Sequence, residues 1–255
     1  MFAQERQEEI VALVNKDGSV RVKELSEKFN VTEDSIRKDL TLLEKQGLLE
    51  KTYGGAIKKK RVNVHDFNIS QRKDKNIEAK QKIAARAIEL IKDGDMVFLD
   101  ISTTNVELSK LLVKSSINIT VVTNMVDVML ELRETPNIDL VFIGGTFNRK
   151  NDGFIGSLAM NQIQNYRFDI AFLGTVGVDL YDNSVATYMV EDGLTKQTII
   201  ESSRKTYLML ESRKFDTDGN YKYARVDEFT GIIMDQKPES SIESRLKKYN
   251  LEWVW

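Results

Sequence analysis

The 255-residue chain contains no cysteine. That absence removes disulfide staples, thiolate metal sites and thiol nucleophiles together. Histidine occurs once, at His65, which excludes histidine-rich metal clusters and leaves few routes to histidine-based acid–base chemistry. Proline occurs only at Pro136 and Pro238, so the chain is punctuated mainly by glycine and polar turns. No apolar run approaches the roughly 18 residues of a membrane span, and the N-terminal MFAQERQEEI is too charged for a signal peptide. Neither sign of charge dominates, since 37 basic and 39 acidic side chains leave a formal net charge of −2. A hydrophobic content of 41% and a charged content of 30% describe a globular protein with a real core. The length suits one large domain, or a small domain beside a larger one. A cytoplasmic protein, with no membrane partner and no metal, is the expectation.

The near-neutral total hides a local excess. From Arg37 to Arg61 there are eight basic residues against three acids, Asp39, Glu44 and Glu50. This stretch begins with the pattern of a capped helix. Thr32 is an N-cap residue, Glu33 and Asp34 suit the positive end of the helix dipole, and Ile36, Leu40 and Leu43 recur at helical period. Lys38, Thr41 and Lys45 fall on the opposite face, with Arg37 on its flank. Gly47 stops the helix, and Leu48–Thr52 reads as a strand ending in a turn at Gly54-Gly55. A solvated surface helix would show the same amphipathic pattern; the local charge favours nucleic acid.

Upstream, Ala3–Asn15 and Lys23–Phe29 read as helices and Ser19–Val22 as a brief strand. Three short helices, the third basic and followed by strand–turn–strand, make a winged helix-turn-helix. The run Val20–Ala56 resembles the DNA-binding module of the DeoR family of bacterial transcription regulators. The residues that carry the likeness are Ser35, Ile36, Arg37, Lys38, Asp39 and Leu40, then Leu43-Glu44, then Gly54-Gly55-Ala56. Lys51 and Tyr53 depart from the family's usual Arg and aromatic or His before the glycines. On this reading Arg37, Lys38 and Thr41 face base edges, Lys45, Lys51, Tyr53, Gly54 and Gly55 meet phosphates, and Asp39 orients a neighbouring arginine. Lys58–Gln71 lacks periodicity and opens with four basic residues, as a linker extending the phosphate contact would, and His65 lies within it unpaired.

From Asn76 the pattern changes. Apolar strand-like runs at Met96–Leu99, Ile119–Val122, Leu140–Ile143, Ile170–Leu173, Tyr207–Leu210 and Gly231–Met234 alternate with helical stretches. The helices are expected at Ile77–Lys92, Val106–Val113, Val126–Arg133, Phe154–Gln164, Glu191–Ser203 and Ile242–Tyr249. Such alternation predicts a parallel α/β sheet covered on both faces. In such sheets ligands bind beyond the carboxyl ends of the strands. Those ends here carry Asp100 with Ser102, Thr103 and Thr104; Thr123 with Asn124; Gly144 and Gly145 with Arg149; and Glu211 with Lys214. Hydroxyls, glycines and cations together suit a phosphorylated polyol. Individually, the hydroxyls could be a helix cap, the glycines a tight strand exit, and Lys214 a solvated lysine. Lys80, on the buried stripe of its helix, either snorkels or points into a site. There is no GxGxxG after a strand and no Walker-type motif, so no nucleotide cofactor is expected.

This second part resembles the sugar-phosphate-sensing domain of the same family, whose Rossmann-like fold is shared with ribose-5-phosphate isomerase, glucosamine-6-phosphate deaminase and CoA transferases. The matching positions are Arg72, Lys80, Asp100 with Ser102-Thr103-Thr104, Thr123-Asn124, Gly144-Gly145, Gly156, Gly177, Lys196 and Lys214-Phe215. Ser102 replaces a frequent glycine, and Glu211 replaces the usual Asp. The resemblance implies residues 1–58 as DNA-binding domain, 59–74 as basic linker and 75–255 as effector domain. It implies a repressor of sugar metabolism, with double-stranded operator DNA and a phosphorylated sugar as partners, and a homodimer or homotetramer. The isomerases carry an acidic cluster where this chain has Leu173-Gly174-Thr175-Val176-Gly177, without a carboxylate. No residue type in the expected pocket stands out as an acid or base near neutral pH. A binding protein is therefore expected, against the alternatives of an isomerase-like enzyme fused to a DNA-binding domain or an RNA-binding regulator.

Overall fold

The computed structural model describes residues 2–58, 62–63 and 69–255. Most of the basic start of the expected linker (residues 59–61) and His65 lie outside the described residues. The chain divides into two compact units, Met1–Arg61 and Val62–Trp255.

In the first unit α1 (Ala3–Asp17), β1 (Ser19–Arg21), α2 (Val22–Phe29) and α3 (Glu33–Lys45) are followed by β2 (Glu50–Thr52) and β3 (Gly55–Ile57). The apolar stripes account for this packing. Ile10, Val11 and Val14 of α1, Leu25 of α2 and Ile36, Leu40 and Leu43 of α3 are all buried together with Leu49. The three strands form an antiparallel sheet in the order β1-β3-β2. The turn sits one residue earlier than its glycine pair suggests. Thr52 pairs with Gly55, so Tyr53 and Gly54 form the loop, and Gly54 takes the positive φ of 89°. Gly55 belongs to β3, where a Cβ would lie 2.0 Å from the Val20 carbonyl oxygen.

The second unit opens with β4 (Val62–Asn63), α4 (Ile69–Lys73), α5 (Ile77–Ile88), β5 (Met96–Leu99), α6 (Thr103–Val113), β6 (Ile119–Thr123), α7 (Val126–Leu132) and β7 (Ile138–Phe142). It continues through β8 (Thr146–Asn148), β9 (Gly153–Ile155), α8 (Ser157–Ile163), β10 (Ile170–Gly174), β11 (Gly177–Asp179), β12 (Ser184–Thr187), α9 (Val190–Glu201) and β13 (Thr206–Leu210). Last come β14 (Thr217–Asp218), β15 (Tyr221–Ala224), β16 (Gly231–Met234), α10 (Ser240–Leu246) and β17 (Glu252–Val254). Seven strands make one parallel sheet in the order β17-β16-β13-β10-β5-β6-β7. Alternate residues serve opposite faces, as strand pleating requires: Val97 and Leu99 join one buried cluster, Phe98 the other.

Strand order reverses between β10 and β5, because chain-successive strands run outward from β5 one way and from β10 the other. This is the topological switch at which such sheets bind ligands. Several elements depart from expectation. The helix expected from Phe154 is preceded by β9, and Gly156, with a φ of 89°, separates the two. The antiparallel sheet β11-β12-β15 has runs too short for periodicity to reveal. The C-terminal segment, by contrast, does what its Trp253 and Trp255 allow: as β17 it pairs with β16 and closes the sheet edge. Within residues 59–74, β4 pairs with β14 and α4 is helical, both belonging to the second unit. Among the described residues no helix is long and apolar enough to cross a membrane.

Candidate functional site

The outer face of α3 is cationic and open. Thr32 caps the helix, accepting from the Ser35 amide at 3.2 Å, and Ser35 and Thr32 hydroxyls meet at 2.9 Å. Arg37, Lys38, Thr41, Leu42 and Lys45 line a shallow depression with Asp34. Arg37 pairs with Glu33 at 2.6 Å and Lys38 with Asp34 at 2.9 Å, each one helical turn back and exposed. Such pairs contribute only about 0.3–0.5 kcal/mol each, so an incoming polyanion displaces them cheaply. Lys51 of β2 donates to the Thr41 hydroxyl at 2.8 Å and its amide donates to Glu44 at 2.9 Å, fastening the wing to this face. Tyr53 stands wholly exposed at the wing tip.

One residue assigned to this surface lies elsewhere, and Asp39 serves a different arginine from its neighbour Arg37. Gly55 is buried between β1 and β2, so its role is close strand approach. Asp39 is buried and does orient an arginine, but that arginine is Arg6 of α1. Arg6 Nε and Gln7 Nε2 each donate to it at 2.7 Å, pinning α3 to α1.

In the second unit a cavity of about 240 Å³ opens at the topological switch. Its floor is formed where β5 and β10 end: Ile101, Ser102 and Thr103 after β5, with Gly174, the last residue of β10, and Thr175 and Val176 after it. Ser102 is the N-cap of α6 and accepts from the Thr104 amide at 3.2 Å, and both Ser102 and Thr103 line the cavity. Behind this floor Asp100 accepts from the Gly174 amide at 3.1 Å and from the Lys196 ammonium. Burial pulls the Lys196 ammonium down, but Asp100 and Asp192 outweigh it and hold the proton on. Asp192 in turn accepts from the Thr187 hydroxyl.

The opposing wall is cationic. Glu211, at the end of β13, receives Asn76 Nδ2 at 2.7 Å and Arg213 Nε at 2.9 Å. Burial alone would raise its carboxyl; Lys214, Arg213 and Asn76 reverse this and keep it ionised. Lys214 donates to the Thr175 carbonyl at 2.8 Å, joining this wall to the end of β10. Burial, reinforced by Arg213, Arg72 and Lys80 and opposed by Glu211, brings its ammonium down to about 8. The cavity therefore does hold a group that titrates near neutrality, which residue types alone did not reveal. Around the lining six cations, Arg72, Lys75, Lys80, Lys196, Arg213 and Lys214, outnumber two carboxylates, Asp192 and Glu211.

The cavity thus gathers Lys80, Ser102, Thr103, Lys196, Glu211 and Lys214, with Asp100 directly behind. The other strand-end residues do not line it. Thr104 is buried within α6. Thr123 bonds the Leu99 carbonyl at 2.7 Å, and Asn124 bonds the Phe154 carbonyl at 2.9 Å. Gly144 and Gly145 follow β7 at the sheet edge, and Arg149 is exposed. The reason is topological: β6 and β7 lie beyond β5, away from the switch. Asn76, Thr187, Tyr188, Asp192 and Arg213 line the cavity without having been singled out. The spacing Asp192–Lys196, one turn of α9, is a local signal from which part of this group could have been found.

Comparison with known proteins agrees with both units. Residues 6–62 match the model of the DeoR-like helix-turn-helix domain, and residues 75–236 match that of the DeoR C terminal sensor domain. The chain belongs to the DeoR family of transcriptional regulators. It is 36% identical over 228 residues to the uncharacterized HTH-type transcriptional regulator YulB of Bacillus subtilis, covering 89% of this chain and 85% of that one. It is 32% identical over 252 residues to the putative aga operon transcriptional repressor of Escherichia coli O157:H7, covering 98% and 93%. It is 33% identical over 217 residues to the lactose phosphotransferase system repressor of Lactococcus lactis, covering 85% and 84%. Among solved structures, ribose 5-phosphate isomerase A of Methanocaldococcus jannaschii aligns with 53% of this chain and 52% of its own, at 16% identity and a TM-score of 0.39.

Proposed function

We propose that the protein is a cytoplasmic repressor of a sugar-metabolism operon, released or engaged by a phosphorylated sugar. Residues 1–58 bind operator DNA, the start of 59–74 connects, and α4 joins 75–255 in sensing the effector. Arg37, Lys38 and Thr41 read base edges, while Lys45, Lys51, Tyr53 and the Gly54 turn sit on phosphates. A homodimer or homotetramer presents two such helices to two half-sites. Relatives named as repressors of the aga operon and of a lactose phosphotransferase system support the sugar assignment.

The observation that carries the effector reading is the cavity at the strand switch, where six cations surround two carboxylates. Cations in a partly buried pocket are held apart from one another at a cost that a dianionic phosphate relieves. Asp192, Thr187 and Asn76 supply the donors and acceptors that sugar hydroxyls need. At about 240 Å³ the space lies below the roughly 300 Å³ at which drug-sized pockets begin, which suits a monosaccharide phosphate. A thermal-shift panel of phosphorylated sugars tests the reading, because a ligand of the folded state raises its apparent stability. No shift from any of them at millimolar concentration overturns it.

One observation favours a second reading, an isomerase-like enzyme. Lys214 titrates near 8 beside an ionised Glu211, a pairing that could move a proton. Turnover in a coupled sugar-phosphate isomerase assay, abolished by Glu211→Ala, would replace the non-enzymatic reading.

A further inference from the structure

Arg72 reaches the cavity from α4, a helix of only five residues that cannot hold itself in place. It is fastened instead by its surroundings. The Ile69 amide donates to the Lys150 carbonyl at 2.8 Å, and the Ile69 side chain is buried in the core. Lys73 pairs with Asp127 of α7. Lys80, from α5, is 2% exposed, and its ammonium donates to the carbonyls of both Arg72 and Lys73, at 3.3 Å for the latter. Those carbonyls close the C-terminal end of α4, where a cation offsets the negative pole of the helix.

The consequence falls on the Arg72 side chain. Its Nη2 donates to Asn151 Oδ1 at 3.0 Å, while its Nε is buried and meets no acceptor among the described residues. A buried guanidinium N–H without a partner is costly, and an anion arriving in the cavity would satisfy it. Lys80 lines the same cavity, but its two acceptors among the described residues are backbone carbonyls of α4.

We propose that Lys80 is a positioning residue of the sensor: it fixes Arg72 against the cavity by holding the end of α4, and does not itself bind the effector phosphate. The proposal rests on the effector reading above and refines it. Lys73, which is not among the residues lining the cavity and is paired to α7, is a second tether on the same helix. Both lysines then act on affinity only through Arg72.

A double-mutant cycle in the full chain separates positioning from direct contact. The readout is the affinity for inorganic phosphate and for a hexose 6-phosphate, by calorimetry, with urea unfolding run on each variant. Arg72→Met should weaken both probes about tenfold or more, as loss of a charge-assisted bond does. Lys80→Met should weaken them roughly tenfold alone, yet less than about twofold when Arg72→Met is already present. Lys73→Met should show the same dependence on Arg72 with a smaller loss, and provides the cycle should Lys80→Met fail to fold. A change of stability alone would lower the urea midpoint and leave the affinities of the folded variants intact, which overturns the proposal. Additive losses from Lys80→Met and Arg72→Met place the ammonium on the ligand and also overturn it. If the unaltered protein binds neither probe, the effector reading itself fails and the positioning role falls with it.

Discussion

Lys214 should make effector affinity fall with rising pH, over a window set by its own proton. In the empty cavity its ammonium titrates at about 8. At one unit on either side, at pH 7 and pH 9, it is about nine-tenths and about one-tenth charged. A phosphate monoester, whose second pKa is about 6, is already a dianion across this range and favours the charged lysine. Binding therefore raises the lysine's pKa, and above pH 8 the complex must take up a proton. Apparent affinity should fall about tenfold between pH 7 and pH 9. Calorimetry with a hexose 6-phosphate at pH 6.5–9.5 measures this. Lys214→Met should bind more weakly at pH 7 with a flat profile, and Lys214→Arg should bind with a flat profile because its charge does not titrate there. The ligand-free protein should behave oppositely. The folded-state pKa lies below the ordinary 10.5, so the charged lysine penalises folding in full below pH 8. That penalty is relieved as pH rises from about 8 to 10.5, and the lysine's contribution to urea stability should increase over that interval. A flat affinity profile in the unaltered protein, or an unchanged slope in Lys214→Met, would refute the reasoning.

The remaining predictions concern the DNA-binding unit. Gly55→Ala puts a methyl group 2.0 Å from the Val20 carbonyl oxygen, a backbone atom that cannot swing aside. The unit should lose about 1–3 kcal/mol or more, read as a lower urea midpoint, and an unchanged midpoint would contradict the β1–β3 register. Asp39→Ala strands the largely buried Arg6 guanidinium and should cost about 3 kcal/mol, seen as faster hydrogen exchange in α1 and α3. Arg37→Ala should remove about 1–3 kcal/mol of specific operator binding, whereas Lys45→Ala should weaken all DNA sequences alike. Equal proportional losses of specific and nonspecific binding in both variants would sink the base-reading assignment.

Much of the architecture was legible because it depends on local pattern. Ile36, Leu40 and Leu43 marked the buried stripe of α3, and the Val- and Ile-rich runs marked the central strands, since burial periodicity is written residue by residue. The accessory strands β8, β9, β11, β12 and β15 were not legible, because three or four residues without a continuous apolar run carry too little pattern. The Gly54-Gly55 pair announced a turn, yet only strand register shows that Gly54 bends while Gly55 packs.

The functional residues divide along the same line. Which side chains α3 presents outward follows from 3.6 residues per turn, so Arg37, Lys38, Thr41 and Lys45 were available from the sequence. Which strand ends meet in a cavity depends on strand order, a nonlocal property that no run of residues encodes. Thr123, Asn124 and Gly144 end strands with phosphate-compatible groups as Ser102 and Thr103 do, but the sheet places β5, not β6 or β7, beside β10. The sequence by itself thus determined the main helices and central strands, the charged helix face and the types of residue at the strand ends. Only the tertiary structure decided which of those ends share a cavity, that Asp39 serves Arg6, and that burial among cations brings Lys214 down to about 8. Desolvation and strand order both arise from parts of the chain far apart in sequence, and they exist only once those parts are packed together.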